Sequence, residues 1–384
     1  MNSTDKKKVI LVAGARPNFM KVAPVLEEMK QYPDRFTPYL VHTGQHYDEN
    51  MSRVFFQDLG LPEPDVYLGV GSASHAVQTA RIMISFEKVI SEHKADLIIV
   101  VGDVNSTLAC ALVGSKLHIP VAHIEAGLRS YDRNMPEEIN RVLTDQISDH
   151  LFTTCEEAED NLTREGIAKE TIYLVGNTMI ESLIKISDEL DKSTILKRLS
   201  LLSGGYILLT LHRPSNVDGK EQLNGILQAL HTIQKEIPVI FPAHPRTVKR
   251  IREFGLEKYF SSNQQFTLMD PVNYIDFIRL QKDAALVLTD SGGIQEETTF
   301  FNVPCLTLRS NTERPITVQE GTNQLIGSDP ETIVKKSFDI LSGNKKSGTI
   351  PRFWDDRVSE RIVEVLLREE HGEGKKGGKE RRSA

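Results

Sequence analysis

The chain has 384 residues, 39% of them hydrophobic and 26% charged, so it is long enough for two globular domains of ordinary size. Its formal net charge of −7 argues against a general nucleic-acid binder, whose surface would be basic. It has no apolar run of membrane-spanning length and no signal-peptide pattern, which predicts a cytoplasmic protein with no membrane partner. Cys110, Cys155 and Cys305 have neither disulfide nor metal-ligand spacing, so we expect buried free thiols.

In chain order, short β-branched runs alternate with longer amphipathic stretches, a pattern typical of parallel βαβ construction. The first series of predicted strands is Val9–Ala13, Tyr39–Thr43, Leu97–Val101, Val121–Ile124, Leu151–Thr154 and Ile172–Val175. The predicted helices between them include Met20–Lys30, Ala76–His93 and Pro136–Ser148. A second series of strands is predicted at Tyr206–Leu211, Val239–Pro242, Phe266–Leu268, Ala285–Leu288, Cys305–Leu308 and Gln324–Ile326.

The restart of the pattern predicts two doubly wound, Rossmann-like α/β domains. A polar helical stretch, Glu181–Lys197, and a hinge at residues 201–205 separate the two series. We expect one domain over residues 1–178 and the other over 179–365, with the last helix packing back on the first domain. The Gly/Lys/Arg/Glu-rich tail, residues 371–384, is expected to be disordered.

Ligands of open parallel sheets bind beyond the carboxyl ends of the strands, so the residues after each predicted strand are the candidate site residues. Val9–Ala13 leads into Gly14-Ala15-Arg16-Pro17, with Lys21 one turn further on. A glycine turn, a helix-start proline and two cations suit a diphosphate.

Three carboxylates follow the next predicted strands, and each has a purely structural alternative. Asp103 is a candidate base or a helix cap. Glu125 lies at a strand-to-loop junction, where the structural alternative is an ion pair with Arg129. Glu137 opens a helix and has the spacing for an i,i+4 pair with Arg141.

The strands of the second series are followed by histidines and a serine–glycine turn in place of the carboxylates of the first series. His212 and His244 each follow a strand and each has an arginine nearby, and Ser291-Gly292-Gly293 joins a strand to a helix carrying Glu296 and Glu297. Free N–H groups at a helix start, next to glycines, suit a phosphate. Taken alone, Ser291 is equally well an ordinary helix cap. Together these strand ends predict a domain that holds a nucleotide diphosphate.

Several cofactor signatures are absent from the sequence. There is no G-x-G-x-x-G after either first strand and no Walker lysine loop. His42 and His46 are spaced i,i+4, but the residues between them end a strand, so they do not form a helical zinc motif. We predict neither a metal nor a cofactor.

These motifs occur in the same order as in the non-hydrolysing UDP-N-acetylglucosamine 2-epimerases, which the chain closely resembles. The resemblance extends from about Val9 to Val365. The resemblance is carried by Gly14-Ala15-Arg16-Pro17 with Lys21, Gly102-Asp103, residues 123–129, Pro136-Glu137-Glu138 with Asn140-Arg141, residues 176–178, His212-Arg213, residues 289–297 and residues 312–315. It implies the fold of glycosyltransferase-B enzymes, in which two Rossmann-like domains face a cleft.

The resemblance also implies the roles of the site residues. The diphosphate of UDP would be contacted by Arg16, His212, Ser291, Gly292 and Gly293, and its ribose by Glu297. Phe277, Arg314 and Lys21 match further substrate-binding positions. Asp103, Glu125 and Glu137 match the acidic residues of the sugar chemistry, in which His212 is also counted as catalytic, with Arg141 and His244 nearby.

The chain departs from the family pattern at a few positions. Ala15 stands where a threonine is frequent, and Pro214 where some bacterial members carry a second arginine. Some bacterial members bind a second UDP-sugar as an activator. Gln45 fits that activator site, whereas Asp48 and Pro214 do not match it.

The resemblance implies reversible epimerisation at C2 of UDP-N-acetylglucosamine (UDP-GlcNAc) to UDP-N-acetylmannosamine (UDP-ManNAc), for cell-surface polysaccharide precursors, by a homodimer. UDP would leave to give a glycal and then add back. The alternatives are a hydrolysing epimerase, an epimerase of a UDP-diacetamido sugar, a retaining glycosyltransferase on the same fold and a catalytically silent UDP-sugar sensor.

Overall fold

The computed structural model describes residues 6–44, 63–260 and 265–368. These residues form two compact units. The N-terminal unit comprises the described residues up to Leu128, Arg133–Ile184 and those from Phe353 onward; the C-terminal unit comprises Arg129–Asp132 and Lys185–Arg352. Each unit contains one parallel sheet with helices, which confirms the predicted fold class.

The N-terminal unit is built on a seven-stranded sheet. Its strands in chain order, β1 to β7, are Lys7–Ala13, Phe36–His42, Val66–Tyr67, Leu97–Val101, Val121–Ala126, His150–Thr153 and Ile172–Leu174. They pair in parallel in the order β3-β2-β1-β4-β5-β6-β7. The two-residue strand β3 was not predicted, because so short a segment shows no apolar pattern.

Helices α1 to α6 of this part of the chain are Arg16–Lys30, His75–His93, Asn105–Lys116, Pro136–Ile147, Glu156–Arg164 and Thr178–Lys185. Every residue of β4 is buried, as its unbroken Leu-Ile-Ile-Val-Val sequence predicts for a strand covered on both faces. Ile98 and Val100 of β4 pack with Ile10 of β1 and Phe86 of α2 in one core cluster. This core fixes the ends of β1, β4 and β5, where the candidate residues lie.

The C-terminal unit repeats the arrangement with six strands. β8 to β13 are Ile207–Thr210, Val239–Pro242, Phe266–Met269, Leu286–Thr289, Cys305–Thr307 and Asn323–Leu325, in the parallel order β10-β9-β8-β11-β12-β13. Its helices α7 to α15 are Ser187–Lys192, Ile195–Arg198, Pro214–Val217, Lys220–Ile233, Pro245–Glu253, Tyr274–Lys282, Gly292–Phe300, Pro315–Gln319 and Pro330–Leu341. Leu209, Phe241 and Leu288 lie in its main core cluster.

The last described helix, α16 (Val358–Arg368), belongs to the N-terminal unit and packs against α1. The buried carboxylate of Glu181 accepts hydrogen bonds from the backbone N–H and the hydroxyl of Ser359, at 2.7 and 2.5 Å. The indole N–H of Trp354 donates to the carbonyl of Thr154 at 3.0 Å. These contacts hold the end of the described chain on the first sheet's unit.

The stretch between the two sheets is helical, as predicted, but is divided among three short helices, α6, α7 and α8. The units divide after Ile184, within this stretch, whereas residues 201–205 lie just before β8 in the C-terminal unit. Cys110, Cys155 and Cys305 are buried free thiols, as predicted. Within the part of the chain that the structure describes, none of the helices combines the length and apolarity needed to cross a bilayer.

Candidate active site

Each sheet reverses its strand order at one point, and several of the candidate residues lie next to that point. The reversal falls between β1 and β4 in the N-terminal unit and between β8 and β11 in the C-terminal unit. Loops leaving two such strands diverge to opposite faces of the sheet and open a crevice at its carboxyl edge. The turns after β4 and β11 carry Gly102-Asp103 and Asp290-Ser291.

Glu125 is buried at the end of β5, where its carboxylate pairs with Lys21 of α1 at 2.6 Å. The pairing of β5 with β6 shifts by one residue between Ile124 and Ala126, so Glu125 is the extra residue of a bulge, and its φ is +69°. A side chain larger than glycine rarely adopts this left-handed conformation, and such strain clusters at functional sites. Lys21 is thus a cation partner of Glu125 that the sequence did not predict.

Asp103 lies two residues before α3 and does not cap it, because Val104 occupies the N-cap position. Its side chain, 29% exposed, pairs instead with the buried guanidinium of Arg141 on α4. The same guanidinium makes hydrogen bonds of 3.0 and 2.6 Å to Glu138. Arg141 thus holds the Asp103 carboxylate at the edge of the sheet.

Glu137 does not form the predicted i,i+4 ion pair with Arg141. On α4 the neighbouring Glu138 makes the i,i+3 pair with Arg141 and is buried, whereas Glu137 is half-buried in the first turn. In the described residues no ion pair engages Glu137. The predicted ion pair is therefore wrong, whereas Glu137 does lie in the first turn of α4, where its charge favours the helix dipole.

In the C-terminal unit, the buried carboxylate of Asp290 pairs with the partly exposed imidazole of His212 at the reversal point. Asp290 follows β11 and is fully buried; its Oδ1 lies 2.8 Å from Nδ1 of His212, whose side chain is 45% exposed. The carboxylate also accepts the backbone N–H groups of His212 and Arg213 and the side-chain amide of Asn216, at 2.9 to 3.1 Å. Asp290 thus fixes the His212 ring with its other nitrogen facing outward.

Burial alone would raise the pKa of the Asp290 carboxyl, but the hydrogen bonds from His212, Arg213 and Asn216 hold its pKa below the usual range. Asp290 is consequently an anion that orients the histidine.

Ser291 occupies the N-cap position of α13, but its hydroxyl makes no cap hydrogen bond. Its backbone N–H donates to the hydroxyl of Thr289 at 3.0 Å. The ordinary capping role weighed for Ser291 is therefore not what the side chain does. The first N–H groups of α13 remain the kind of donors that bind an anion.

Gly292 lies directly against a buried charge network at this turn. A Cβ on Gly292 would come within 2.4 Å of Glu313 Oε1 and 2.6 Å of Arg314 Nη1. Arg314 pairs with Glu313 at 2.7 Å and with Glu296 at 3.0 Å, and Arg309 pairs with Glu313 at 2.8 Å. The predicted substrate residue Arg314 is thus buried among carboxylates beside the phosphate-binding turn.

Glu297, predicted to bind a ribose, is buried on α13 and accepts a hydrogen bond from the Tyr274 hydroxyl at 3.3 Å. Burial, together with the Glu297 charge, raises the pKa of Tyr274 well above its usual range, so the phenol remains a donor. Phe277 packs partly against the core cluster containing Tyr206. His244 accepts the N–H of Arg246 at 3.2 Å and caps α11, which is a structural role.

Some predicted positions lie outside what can be described. The backbone of Arg16 opens α1, but its side chain is not described. Gln45 and His46, and Asp48 of the activator comparison, fall outside the described residues.

Sequence reasoning missed Asp290, Tyr274 and the pair formed by His123 and Asp145. For Asp290 a signal was present, since a carboxylate directly after a buried strand has no capping role; the same logic had singled out Glu125. Nothing in the sequence links His123 to Asp145, because their contact depends on how α4 packs on β5.

The two units present complementary chemistry. The C-terminal unit offers free helix N–H groups, an oriented histidine and a buried glutamate beside a phenol, which together suit a diphosphate and a diol. The N-terminal unit offers two carboxylates held by buried cations, Glu125 and Asp103, and the half-buried Glu137, which suits proton transfer on an uncharged group.

Comparison with known proteins gives a consistent result. A family model described as UDP-N-acetylglucosamine 2-epimerase matches residues 27–367. The chain is 44% identical over 364 residues to the UDP-N-acetylglucosamine 2-epimerase of Methanocaldococcus jannaschii, covering 94% of this chain and 98% of the relative. It is 40% identical to a Pseudomonas aeruginosa UDP-2,3-diacetamido-2,3-dideoxy-D-glucuronate 2-epimerase, covering 94% and 99%.

A solved structure of the Methanocaldococcus jannaschii enzyme, in complex with UDP-GlcNAc and UDP, superimposes with a TM-score of 0.86. The match covers 94% of this chain and 99% of that one, at 44% identity.

Proposed function

The chain belongs to the UDP-N-acetylglucosamine 2-epimerase family and is an isomerase, and we propose that it interconverts UDP-GlcNAc and UDP-ManNAc through a glycal intermediate. The observation that carries this proposal is the pair of carboxylates at adjacent strand ends, each held by a buried cation. Glu125 after β5 pairs with Lys21, and Asp103 after β4 pairs with Arg141. Such held carboxylates suit a reaction in which a proton leaves and returns.

The C-terminal unit is proposed to hold UDP. The N–H groups at the start of α13, around Ser291, Gly292 and Gly293, would bind the diphosphate together with the outward nitrogen of His212. Arg16 stays a predicted contact of the diphosphate. Glu297, oriented by Tyr274, would accept hydrogen bonds from the ribose hydroxyls. Phe277, Arg314 and His244 stay proposed substrate residues with less support, because the first packs in a core, the second lies in a charge network and the third caps a helix.

The chemistry begins with departure of the leaving group, because the C2 hydrogen of the sugar is scarcely acidic. The C1–O bond breaks with its electron pair going to UDP, a carboxylate takes the C2 proton, and a C1–C2 double bond forms. Return of a proton to the opposite face of C2, with re-addition of UDP at C1, gives the epimer. Asp103, Glu125 and Glu137 share the acid, base and cation-stabilising roles, each worth about 10²–10⁴-fold.

The proposal is tested by proton NMR of purified protein incubated with UDP-GlcNAc. We expect UDP-ManNAc to accumulate to an equilibrium ratio with both sugars still linked to UDP. Accumulation of free N-acetylmannosamine with UDP would instead identify a hydrolysing epimerase, and absence of turnover with intact UDP binding would identify a sensor. Including UDP-diacetamido glucuronate as a rival substrate decides between the activities named for the two relatives described above.

Asp103→Asn and Glu125→Gln should each lower kcat by at least about 10²-fold. The affinity for UDP, measured by calorimetry, should stay within a few-fold of wild type. A retaining glycosyltransferase would instead transfer the sugar to an added acceptor. Loss of UDP binding in either variant would contradict the division of roles.

We further propose that the enzyme is a homodimer joined through α2 and α4. These helices line a groove of about 530 Å³ whose walls are largely apolar, from residues such as Ala80, Met83 and Ile139. Ile84, one turn beyond Ala80, and Leu143, one turn beyond Ile139, are 58% and 46% exposed. A monomer rarely exposes such a contiguous apolar face.

Light scattering after size-exclusion chromatography tests the dimer. Ile84→Glu with Leu143→Glu should give monomers, whereas Leu202→Glu, at a 79% exposed position on the C-terminal unit, should leave the dimer intact. A wild-type monomer would contradict the proposal. The expected use of the product in cell-surface polysaccharide precursors and the cytoplasmic location stay predictions.

A further inference from the structure

A second histidine–aspartate pair lies in the N-terminal unit, and both of its side chains are buried. His123, in the middle of β5, and Asp145, on α4, both have fully buried side chains. Nδ1 of His123 lies 2.6 Å from Oδ1 of Asp145, and Nε2 lies 2.8 Å from the carbonyl oxygen of Gly102. Neither ring nitrogen reaches solvent, so this histidine cannot contact a substrate.

The chemistry of the two partners fixes the direction of these bonds. A carbonyl oxygen only accepts, so Nε2 carries a proton and donates it to Gly102. The second contact is a charge-assisted bond whose proton lies between Nδ1 and the Asp145 carboxylate. Turning the ring would break both bonds in a dry interior, which is costly.

Through Gly102 the pair holds the turn that carries Asp103. Gly102 donates its N–H to the Ile124 carbonyl at 3.0 Å and accepts from His123, so both of its backbone groups are bonded to β5. Its φ of +70° allows the sharp turn, and a Cβ there would lie 3.3 Å from Oε2 of Glu125. The backbone leading into Asp103 is therefore packed directly on the Glu125 carboxylate.

Through Asp145 the pair holds the turn that follows Glu125. Oδ2 of Asp145 accepts the backbone N–H of Gly127 at 3.1 Å, and the Gly127 carbonyl accepts from the Asn161 amide at 2.9 Å. Gly127 lies two residues beyond Glu125 and directly after β5. One buried pair is thus bonded to the backbone beside two of the proposed catalytic carboxylates, Asp103 and Glu125.

We propose that His123 and Asp145 are positioning residues that set the placement of Asp103 relative to Glu125. This inference rests on the proposed roles of those two carboxylates. A misplacement of about 1 Å at a reacting group can cost about 10²-fold in rate. Because the hydrogen bonds of the pair to Gly102 and Gly127 lie within the N-terminal unit, whereas Ser291 and Glu297 belong to the C-terminal unit, its loss should lower kcat and leave the KM for the UDP-sugar nearly unchanged.

Two substitutions of Asp145 separate the geometry of the pair from its charge. In Asp145→Asn, the amide oxygen can accept from Gly127 while the amide nitrogen donates to Nδ1 of a His123 ring that keeps its Nε2 proton. All three hydrogen bonds survive. Asp145→Leu has a similar volume but removes the bonds to His123 and Gly127 without leaving a buried charge behind.

We expect Asp145→Asn to keep kcat within a few-fold of wild type and Asp145→Leu to lose about 10²-fold in kcat, both with a KM within a few-fold of wild type. Glu181→Ala is the matched control, because Glu181 is an equally buried carboxylate of the same unit whose oxygens accept hydrogen bonds from Ser359 of α16. At an equal loss of thermal stability, it should keep its kcat. Asp145→Ala replaces Asp145→Leu if the latter does not fold at the assay temperature.

The proposal is overturned if Asp145→Leu keeps a wild-type kcat, if Asp145→Asn loses as much as Asp145→Leu, or if Glu181→Ala loses as much as Asp145→Leu. The same assays distinguish its failure from failure of the proposed function. An active Asp103→Asn would contradict the role of Asp103 itself, whereas an inactive Asp103→Asn beside a fully active Asp145→Leu would contradict only the positioning by His123 and Asp145.

Discussion

At the scale of single residues, the site depends on charges that are held in place by partners far away in sequence. Glu125 takes its cation from α1, Asp103 takes its own from α4, and His212 takes its carboxylate from the turn after β11. A charge-assisted hydrogen bond is about twice as strong as a neutral one, so the loss of one charge should be measurable in rate.

Asp290→Asn tests the support of His212. The amide can still accept a backbone N–H, but the charge-assisted bond to Nδ1 becomes a neutral one, which is expected to cost about 1.5 kcal/mol, or about tenfold in kcat. Steady-state kinetics with UDP-GlcNAc measures it. Asn216→Ala, which removes a neutral donor from the same carboxylate, is the control and should lose less. An equal loss in both variants would show that local packing, not the charge, matters.

His42 gives a pH dependence of stability. Burial lowers the pKa of His42 from 6.5 to about 4, and its ring lies between Phe19 and Tyr67. The unfolded chain therefore binds a proton more readily, so stability falls as the pH drops from about 6.5 to 4, by up to about 3 kcal/mol. His42→Phe should remove this part of the slope. Urea unfolding at several pH values measures it; parallel slopes in both proteins would contradict the prediction.

Much of the site could be predicted from the sequence because strand ends can be read from β-branched runs. Asp103, Glu125, His212 and Ser291 all lie at strand ends, as expected. The sequence could not predict which of Glu137 and Glu138 pairs with Arg141, because i,i+3 and i,i+4 neighbours both lie on one helix face. The left-handed conformation of Glu125 was equally hidden, because only packing imposes it.

At the scale of elements, the strand-to-helix turn before α13 contains two adjacent glycines, Gly292 and Gly293, whose surroundings differ. Gly292 has no room for a side chain because of Glu313 and Arg314, whereas a Cβ on Gly293 meets nothing within 4 Å. The first glycine serves packing, and the second leaves open the approach to the helix N–H groups.

Gly292→Ala and Gly293→Ala should therefore have opposite effects. Gly292→Ala is expected to lower the free energy of unfolding by about 1–3 kcal/mol, since the buried ion pairs must shift. Gly293→Ala should leave stability intact but weaken UDP binding about tenfold, because the new methyl group blocks a charge-assisted contact to the diphosphate. Thermal unfolding and calorimetry with UDP measure the two effects. Wild-type UDP affinity in Gly293→Ala would contradict the proposed phosphate site.

The sheets themselves were predictable, but not every element was. Buried runs such as Leu97–Val101 predicted their strands directly, whereas β3 was too short to be noticed. The stretch Glu181–Lys197 was predicted as helical but not as three separate helices, because breaks near Ile186 and Thr194 depend on tertiary packing rather than on glycine or proline.

At the scale of the whole molecule, the last described helix, α16, belongs to the same unit as the first strand, β1. Trp354, the single tryptophan of the sequence, is buried there and reports on this docking by its fluorescence. Glu181 accepts both hydrogen bonds from Ser359 at the start of α16.

Glu181→Ala should shift the tryptophan-detected urea transition to lower urea by an amount equivalent to about 1–3 kcal/mol, through the lost cap and the unsatisfied donors. Glu364→Ala, which removes an exposed ion pair with Arg368 on the same helix, should change little. Equal shifts in the two variants would contradict the anchoring role of Glu181.

The proposed epimerisation requires the C2 proton to leave and return while UDP is detached from the sugar. Proton NMR of UDP-GlcNAc turned over in heavy water tests it most directly. We expect UDP-ManNAc with deuterium at C2, and deuterium at C2 of the recovered UDP-GlcNAc as equilibrium is approached. UDP-ManNAc that retains protium at C2 would contradict it.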